Sequence, residues 1–197
     1  LAVYLSSNNF NQFHIAETEK YAHVTYFFNG LNETQLMGED RLMVPSIKTT
    51  TYRNHPEMSA ETIRNELIKA IDSQKYHFLL ANFANCDMVG HCGDLESARV
   101  AVETVDTQLA YVLDSAIKNY HTVIVTADHG NIEQMLDPKT GEIDTAHTKN
   151  PVPFIIVDSD FSKKISLHSG SLCDISPTIL KIMGLKIPDE MLGKSLF

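Results

Sequence analysis

The sequence predicts an α/β fold: a mostly parallel sheet with helices on both faces, in three layers. Three observations carry this. Residues 77–84 (HFLLANFA) are continuously apolar, as in a strand covered on both faces. Residues 121–127 (HTVIVTA) and 152–158 (VPFIIVD) read as two more buried strands. Amphipathic helical patterns alternate with them, the arrangement that builds parallel sheets.

The elements follow in order. The first ten residues show little pattern. Residues 14–24 have helix-forming composition around Glu17 to Tyr21, and residues 23–30 (HVTYFFNG) read as a buried strand ended by Gly30. Residues 33–40 are polar and loop-like. RLMVPS at 41–46 is a short apolar segment stopped by Pro45, and 47–58 form a loop containing Pro56. Ser59 opens a helix: its hydroxyl suits the orphan amides and Glu61 suits the dipole, with Ile63, Leu67, Ala70 and Ile71 at helical spacing. A long helix spans 96–118, with a stripe of Ala98, Val102, Val105, Leu109, Val112, Leu113 and Ala116. Near the end, Ser176 is the expected cap, Pro177 the first helical residue and Gly184 the stop.

Composition narrows the function classes. With 197 residues, 43% of them hydrophobic and 21% charged, the chain suits one soluble globular domain. No apolar run is long enough for a transmembrane helix, and no basic and apolar leader opens the chain. Cys86, Cys92 and Cys173 are too few and scattered for a disulfide framework, so a reducing, cytoplasmic setting is expected. A net charge of -9 argues against nucleic acid or an anionic membrane as partner. An anionic substrate then needs local positive charge, which metal ions supply. Leu1 is not an initiator Met, which suggests a processed, trimmed or partial chain.

Five residues of metal-ligating type stand out. Asp87 and His91 follow the 77–84 strand, Asp128 and His129 follow the 121–127 strand, and His147 lies in a polar loop. Ligands in parallel α/β sheets sit at the carboxyl ends of strands. The Asp87–His91 spacing converges on one ion if the segment turns tightly, and Gly90, Gly93 and Gly130 permit close backbone approach. Taken singly, each has a plainer reading: a solvated loop, a cap or turn, a surface histidine. Together, mixed carboxylate and imidazole ligands suit Mn²⁺ or Zn²⁺, and five ligands exceed what one catalytic ion usually takes. Two ions would clamp a phosphoryl or sulfuryl group and activate an oxygen nucleophile. His14, His23, His55, His77, His121 and His168 are read as surface or core histidines, Asp94 and Asp174 as caps, and Arg41 and Lys48 as solvated loop charges.

NFANCDMVGHCG (82–93), VTADHGNIEQM (125–135) and TAHTKNPVPFIIV (145–157) resemble the cofactor-independent (2,3-bisphosphoglycerate-independent) phosphoglycerate mutases. So do AETEKYAHVTYFFNG (16–30), PEMSA (56–60), GSLCDISPTILKIMGL (170–185) and PDEMLGKSLF (188–197). The resemblance covers essentially the whole chain. It implies an alkaline-phosphatase-like α/β/α fold and a site with two Mn²⁺ ions that interconverts 3- and 2-phosphoglycerate through a phosphoserine. By motif, Asp87, His91 and His147 would hold one Mn²⁺, Asp128 and His129 would be ligands of a second ion, and Lys20 would contact substrate phosphate. Without the resemblance Lys20 reads as a solvated lysine. Cys86 and Cys92 replace the family's usual Pro and frequent Thr, and are read as packing residues.

The chain matches only the C-terminal part of that family's phosphatase domain. The nucleophilic Ser, an Asp of the second metal site and the substrate-clamping domain would lie outside it, and the sheet would be incomplete. Ser46, Ser59, Ser97 and Ser171 sit in no ligand motif, so no catalytic Ser is assigned. The 197 residues alone are expected not to turn over and to bind one Mn²⁺ tightly and a second weakly. The intact enzyme is expected to be a cytoplasmic, glycolytic monomer. Two other readings stay open: a phosphatase, phosphodiesterase or sulfatase of the same superfamily, and a non-catalytic product.

Overall fold

Residue placement is described from a computed structural model for residues 1–158, 160 and 166–197. The chain divides into two compact units, Ala2–Ser159 and Asp160–Phe197 with Leu1.

In the larger unit, helix α1 (Ala2–Ser7) leads into strand β1 (Gln12–Glu17). A 3₁₀ turn (Thr18–Lys20) and the single-turn helix α2 (Tyr21–Val24) follow. Strand β2 (Glu39–Val44), helix α3 (Ala60–Asp72), strand β3 (Phe78–Asn82), helix α4 (Asn85–Gly90) and helix α5 (Leu95–Lys118) come next. Strands β4 (Val123–Thr126) and β5 (Phe154–Val157) complete the unit. The first three strands form a parallel sheet in the order β2-β1-β3, with Gln12 opposite both Glu39 and Phe78. Strands β4 and β5 pair antiparallel, Val123 opposite Val157 and Thr126 opposite Phe154.

Every residue of β1 is buried, as befits the central strand. Phe13, Ile15 and Val44 pack with Ile63, Leu67, Ala70 and Ile71 of α3 and with Val112 and Ala116 of α5. Fully burying each large side chain contributes about 1.5–3 kcal/mol. Because β1 and β3 run parallel, their carboxyl ends lie side by side. Lys20 and Asp87 each follow one of those ends within a few residues.

Several sequence expectations change. Residues 14–17 are strand, not helix; only 18–24 are helical. The strand expected at 23–30 is a series of turns. Phe27 donates its amide to the Ala22 carbonyl at 2.9 Å, Asn29 to Thr25 at 2.8 Å and Leu31 to Tyr26 at 2.8 Å. Those local bonds occupy the groups a ladder would need. The apolar segment at 41–46 contributes to β2, which begins earlier, at Glu39. The β3 residues are half-buried rather than covered on both faces, since β3 closes the edge of its sheet. Along α5, Val102 is exposed and Ala101 is buried in its place. Asp94 caps α5 as expected, accepting the Ser97 amide at 2.9 Å.

In the smaller unit, helix α6 (Ile175–Ile182) follows a 3₁₀ turn (Leu172–Asp174). Its start differs from the expectation. Ser171 and Asp174 form a capping box ahead of the 3₁₀ turn, and Pro177 is the third helical residue rather than the first. That position still needs no intrahelical amide. Gly184 follows the helix with a φ of +68°, where a residue without a Cβ is unstrained. Among the described residues no helix is long and apolar enough to cross a membrane.

Candidate metal centre

Helix α4 starts just beyond β3 and is barely more than one turn long. Asp87 lies in its first turn and His91 is its C-cap, so the two are four residues apart on one face. The Asp87 Oδ1 atom is 3.1 Å from His91 Nε2 and 3.1 Å from His147 Nε2. The two imidazole nitrogens are 3.2 Å apart. Three ligand atoms thus form a nearly equilateral triangle. Its edges match adjacent ligands that each stand about 2.0–2.2 Å from one ion.

Proton bookkeeping strengthens the fit. His91 Nδ1 is 2.7 Å from the Thr145 carbonyl, which can only accept, so Nδ1 carries the hydrogen. In the neutral ring Nε2 is then a bare lone pair, aimed at a carboxylate oxygen and at another ring nitrogen. Metal-bound histidines are oriented by such a second bond. A convergence of lone pairs is stabilised by a cation at its centre. The donor set therefore fits a divalent ion of borderline softness.

His129 joins this group. Asp87, His129 and His147 offer ligand atoms all within 4.8 Å of one another. The His129 and His147 rings stack at 3.7 Å, and His129 Nδ1 is buried without a hydrogen-bond partner. Asp128 stands at the margin: its side chain is 58% exposed and reaches His129 Nε2 only at 3.6 Å. The structure thus draws four of the five sequence ligands together and leaves Asp128 beside them.

Lys20, only 8% exposed, places Nζ 2.5 Å from Asp87 Oδ2. Burial pushes the Asp87 carboxyl up, but the Lys20 ammonium and an Asn131 hydrogen bond outweigh it and hold the group at about 2. Asp87 is therefore an anion, as a ligand must be. Ser46 donates its hydroxyl to Glu17, Ser59 to the Pro45 carbonyl and Ser97 to Asp94. None of these serines is directed at the ligand group.

Two neighbours were missed in the sequence. Burial lowers the His23 pKa, Lys20 lowers it further, and the Asp128 and Asp87 carboxylates oppose this. His23 therefore lies within the field of the site. Asn131 is 5% exposed and donates Nδ2 to Asp87 Oδ1 at 2.9 Å. Its only sequence signal was its place two residues after His129.

Known proteins resemble this chain over its whole length. A 2,3-bisphosphoglycerate-independent phosphoglycerate mutase of Thermomicrobium roseum is 53% identical over 200 residues, covering 100% of this chain and 38% of that protein. The protein of the same description from Clostridium tetani is 51% identical over 196 residues, again 100% of this chain and 38% of the relative. A crystal structure of Leishmania mexicana phosphoglycerate mutase at low cobalt concentration superposes with a TM-score of 0.91 at 32% identity, covering 98% of this chain and 38% of that one. The chain thus spans 38% of the length of these relatives. The metalloenzyme superfamily matches residues 1–187, and its mostly parallel α/β architecture is the one observed. By that match the chain is a member of the metalloenzyme superfamily.

Proposed function

We propose that this chain forms the metal-binding portion of a 2,3-bisphosphoglycerate-independent phosphoglycerate mutase that interconverts 3- and 2-phosphoglycerate. The observation that carries the reading is the triangle of Asp87 Oδ1, His91 Nε2 and His147 Nε2, set in a chain about half identical to proteins of that description. Asp87, His91 and His147 would hold one Mn²⁺, and His129 with Asp128 would contribute to a second. Bound there, the ions would neutralise a transferring phosphoryl group and activate an attacking oxygen. Lys20, on the outer oxygen of Asp87, brings an ammonium to the edge of the ligand group. That ammonium would contact a substrate phosphate as charge develops on it. Within these 197 residues no Ser is assigned as phosphoryl acceptor. The substrate is a small anion, and the setting is the glycolytic cytoplasm.

Product fate tests this. The complete product of the reading frame, supplied with Mn²⁺ and 3-phosphoglycerate, is expected to form 2-phosphoglycerate in ³¹P NMR spectra with no build-up of inorganic phosphate. Release of inorganic phosphate without isomerisation would overturn the mutase reading and favour a hydrolase of the same superfamily.

A further inference from the structure

The three segments that carry the ligands are far apart in sequence, and one small polar network ties them together. Asn131 donates Nδ2 to Asp87 Oδ1 at 2.9 Å and to the Asp87 carbonyl at 3.3 Å, with His91 Nε2 at 3.4 Å. All three are acceptors, so the amide orientation is chemically fixed. The Asn131 Oδ1 atom is buried without a partner and faces Gly90, where an added Cβ would collide with it. The same residue's backbone amide donates to Glu133 Oε2 at 2.7 Å. Glu133 Oε1 in turn accepts from the Thr148 hydroxyl and from Asn150 Nδ2, the latter at 3.0 Å. Thr148 also donates its amide to the Gly130 carbonyl at 2.8 Å. Thr148 adjoins His147, and Gly130 adjoins His129.

We propose that Asn131 and Glu133 are positioning residues: they hold the α4 ligands, the His129 segment and the His147 loop in register, so that the site is formed before an ion arrives. The inference rests on the metal-site reading above. Neither residue is a ligand. Asn131 fixes which Asp87 oxygen faces the two imidazoles, and Glu133 with Thr148 fixes how far the His147 loop stands from them. Losing outer partners of this kind typically costs 10- to 100-fold in metal affinity.

Co²⁺ is a suitable probe, because its visible absorption reports ligand geometry. Titration of the intact protein followed by absorption and calorimetry is expected to show about 10- to 100-fold weaker Co²⁺ binding and an altered spectrum in Asn131→Ala. Thr148→Val should behave likewise, whereas Thr148→Ser, which keeps the hydroxyl, should restore binding. Gly90→Ala probes the same contact from the other side. Its Cβ would displace the buried Asn131, so Co²⁺ binding should weaken, and urea midpoints of the metal-free variant report what the collision costs in stability. Unchanged affinity and spectrum in Asn131→Ala and Gly90→Ala would overturn the inference and leave the metal site standing. No Co²⁺ binding by the unaltered protein would sink the metal reading itself, and this inference with it.

Discussion

Two carboxylate–imidazole pairs in this molecule look alike on paper and differ in what surrounds them. In the sheet, His14 Nδ1 stands 3.3 Å from Glu39 Oε1, with both side chains fully buried. At the candidate centre, His91 Nε2 stands 3.1 Å from Asp87 Oδ1, with the imidazole 40% exposed. Glu39 is saturated by donors: Arg41 Nε at 2.8 Å, Arg41 Nη2 at 2.9 Å, the Leu36 amide at 2.8 Å and Asn29 Nδ2 at 3.1 Å. His14 Nδ1 is bonded to the Val24 carbonyl at 2.7 Å. The Glu39 carboxylate is thus fully served by donors, although His14 Nε2 is buried without a partner. Around Asp87 Oδ1 the Asn131 amide donates, but two imidazole nitrogens face the same oxygen with at least one bare lone pair. The difference between a structural pair and a ligand pair lies in the donor count. Where protein donors exhaust the carboxylate the pair cements the fold, and where two ring nitrogens converge on one carboxylate oxygen the cluster calls for a cation.

The comparison breaks most sharply at Asp87. Asp87→Ala removes the corner shared by both short contacts and is expected to weaken Mn²⁺ binding by more than about 100-fold, beyond the loss for an outer partner. Calorimetric titration checks it, and affinity within a few-fold of the unaltered protein would contradict the ligand assignment. Glu39→Gln should do the opposite. It leaves Arg41, whose side chain is 11% exposed, without its anionic partner. Breaking a buried pair from one side costs about 3–5 kcal/mol. Urea unfolding should show that loss, with Mn²⁺ affinity unchanged once the variant is folded. A large shift in affinity would mean the two networks are coupled after all.

The sequence disclosed the two networks unequally. Asp87, His91 and His129 were legible as candidate ligands because they follow the ends of apolar runs, whereas His147, in a polar loop, was legible only as part of the joint set and its motif. Strand β1 was hidden. Its buried residues include Gln12, His14 and Glu17, which look like surface chemistry until their partners are known. Gln12 reaches the Ala2 carbonyl at 3.0 Å and Glu17 takes the Ser46 hydroxyl at 2.8 Å. Tertiary context therefore overrode local propensity there. The turns at 25–31 failed for the converse reason: an aromatic run has the composition of a strand but closes its own local hydrogen bonds. Asn131 and His23 escaped notice because an amide or a lone imidazole gains meaning only from neighbours distant in sequence.

The smallest expected effect concerns acid. Burial pushes Glu39 up, yet the Arg41 guanidinium, the Leu36 amide, Asn29 and His14 together hold its carboxyl below the ordinary value of 4.5. The unfolded chain then binds a proton more readily than the folded one. This contribution to stability is fully present above about pH 4.5 and is lost as pH falls through the lowered folded value. Glu39→Gln carries no such proton, so its stability should be flatter across that acidic window. The gap between the two proteins, widest near neutrality, should narrow as the pH drops. Urea midpoints taken from pH 7 downward test this. A gap that stays constant into acid would show that Glu39 contributes shape rather than charge, and that the carboxylate network in the sheet is held by packing more than by its ion pair.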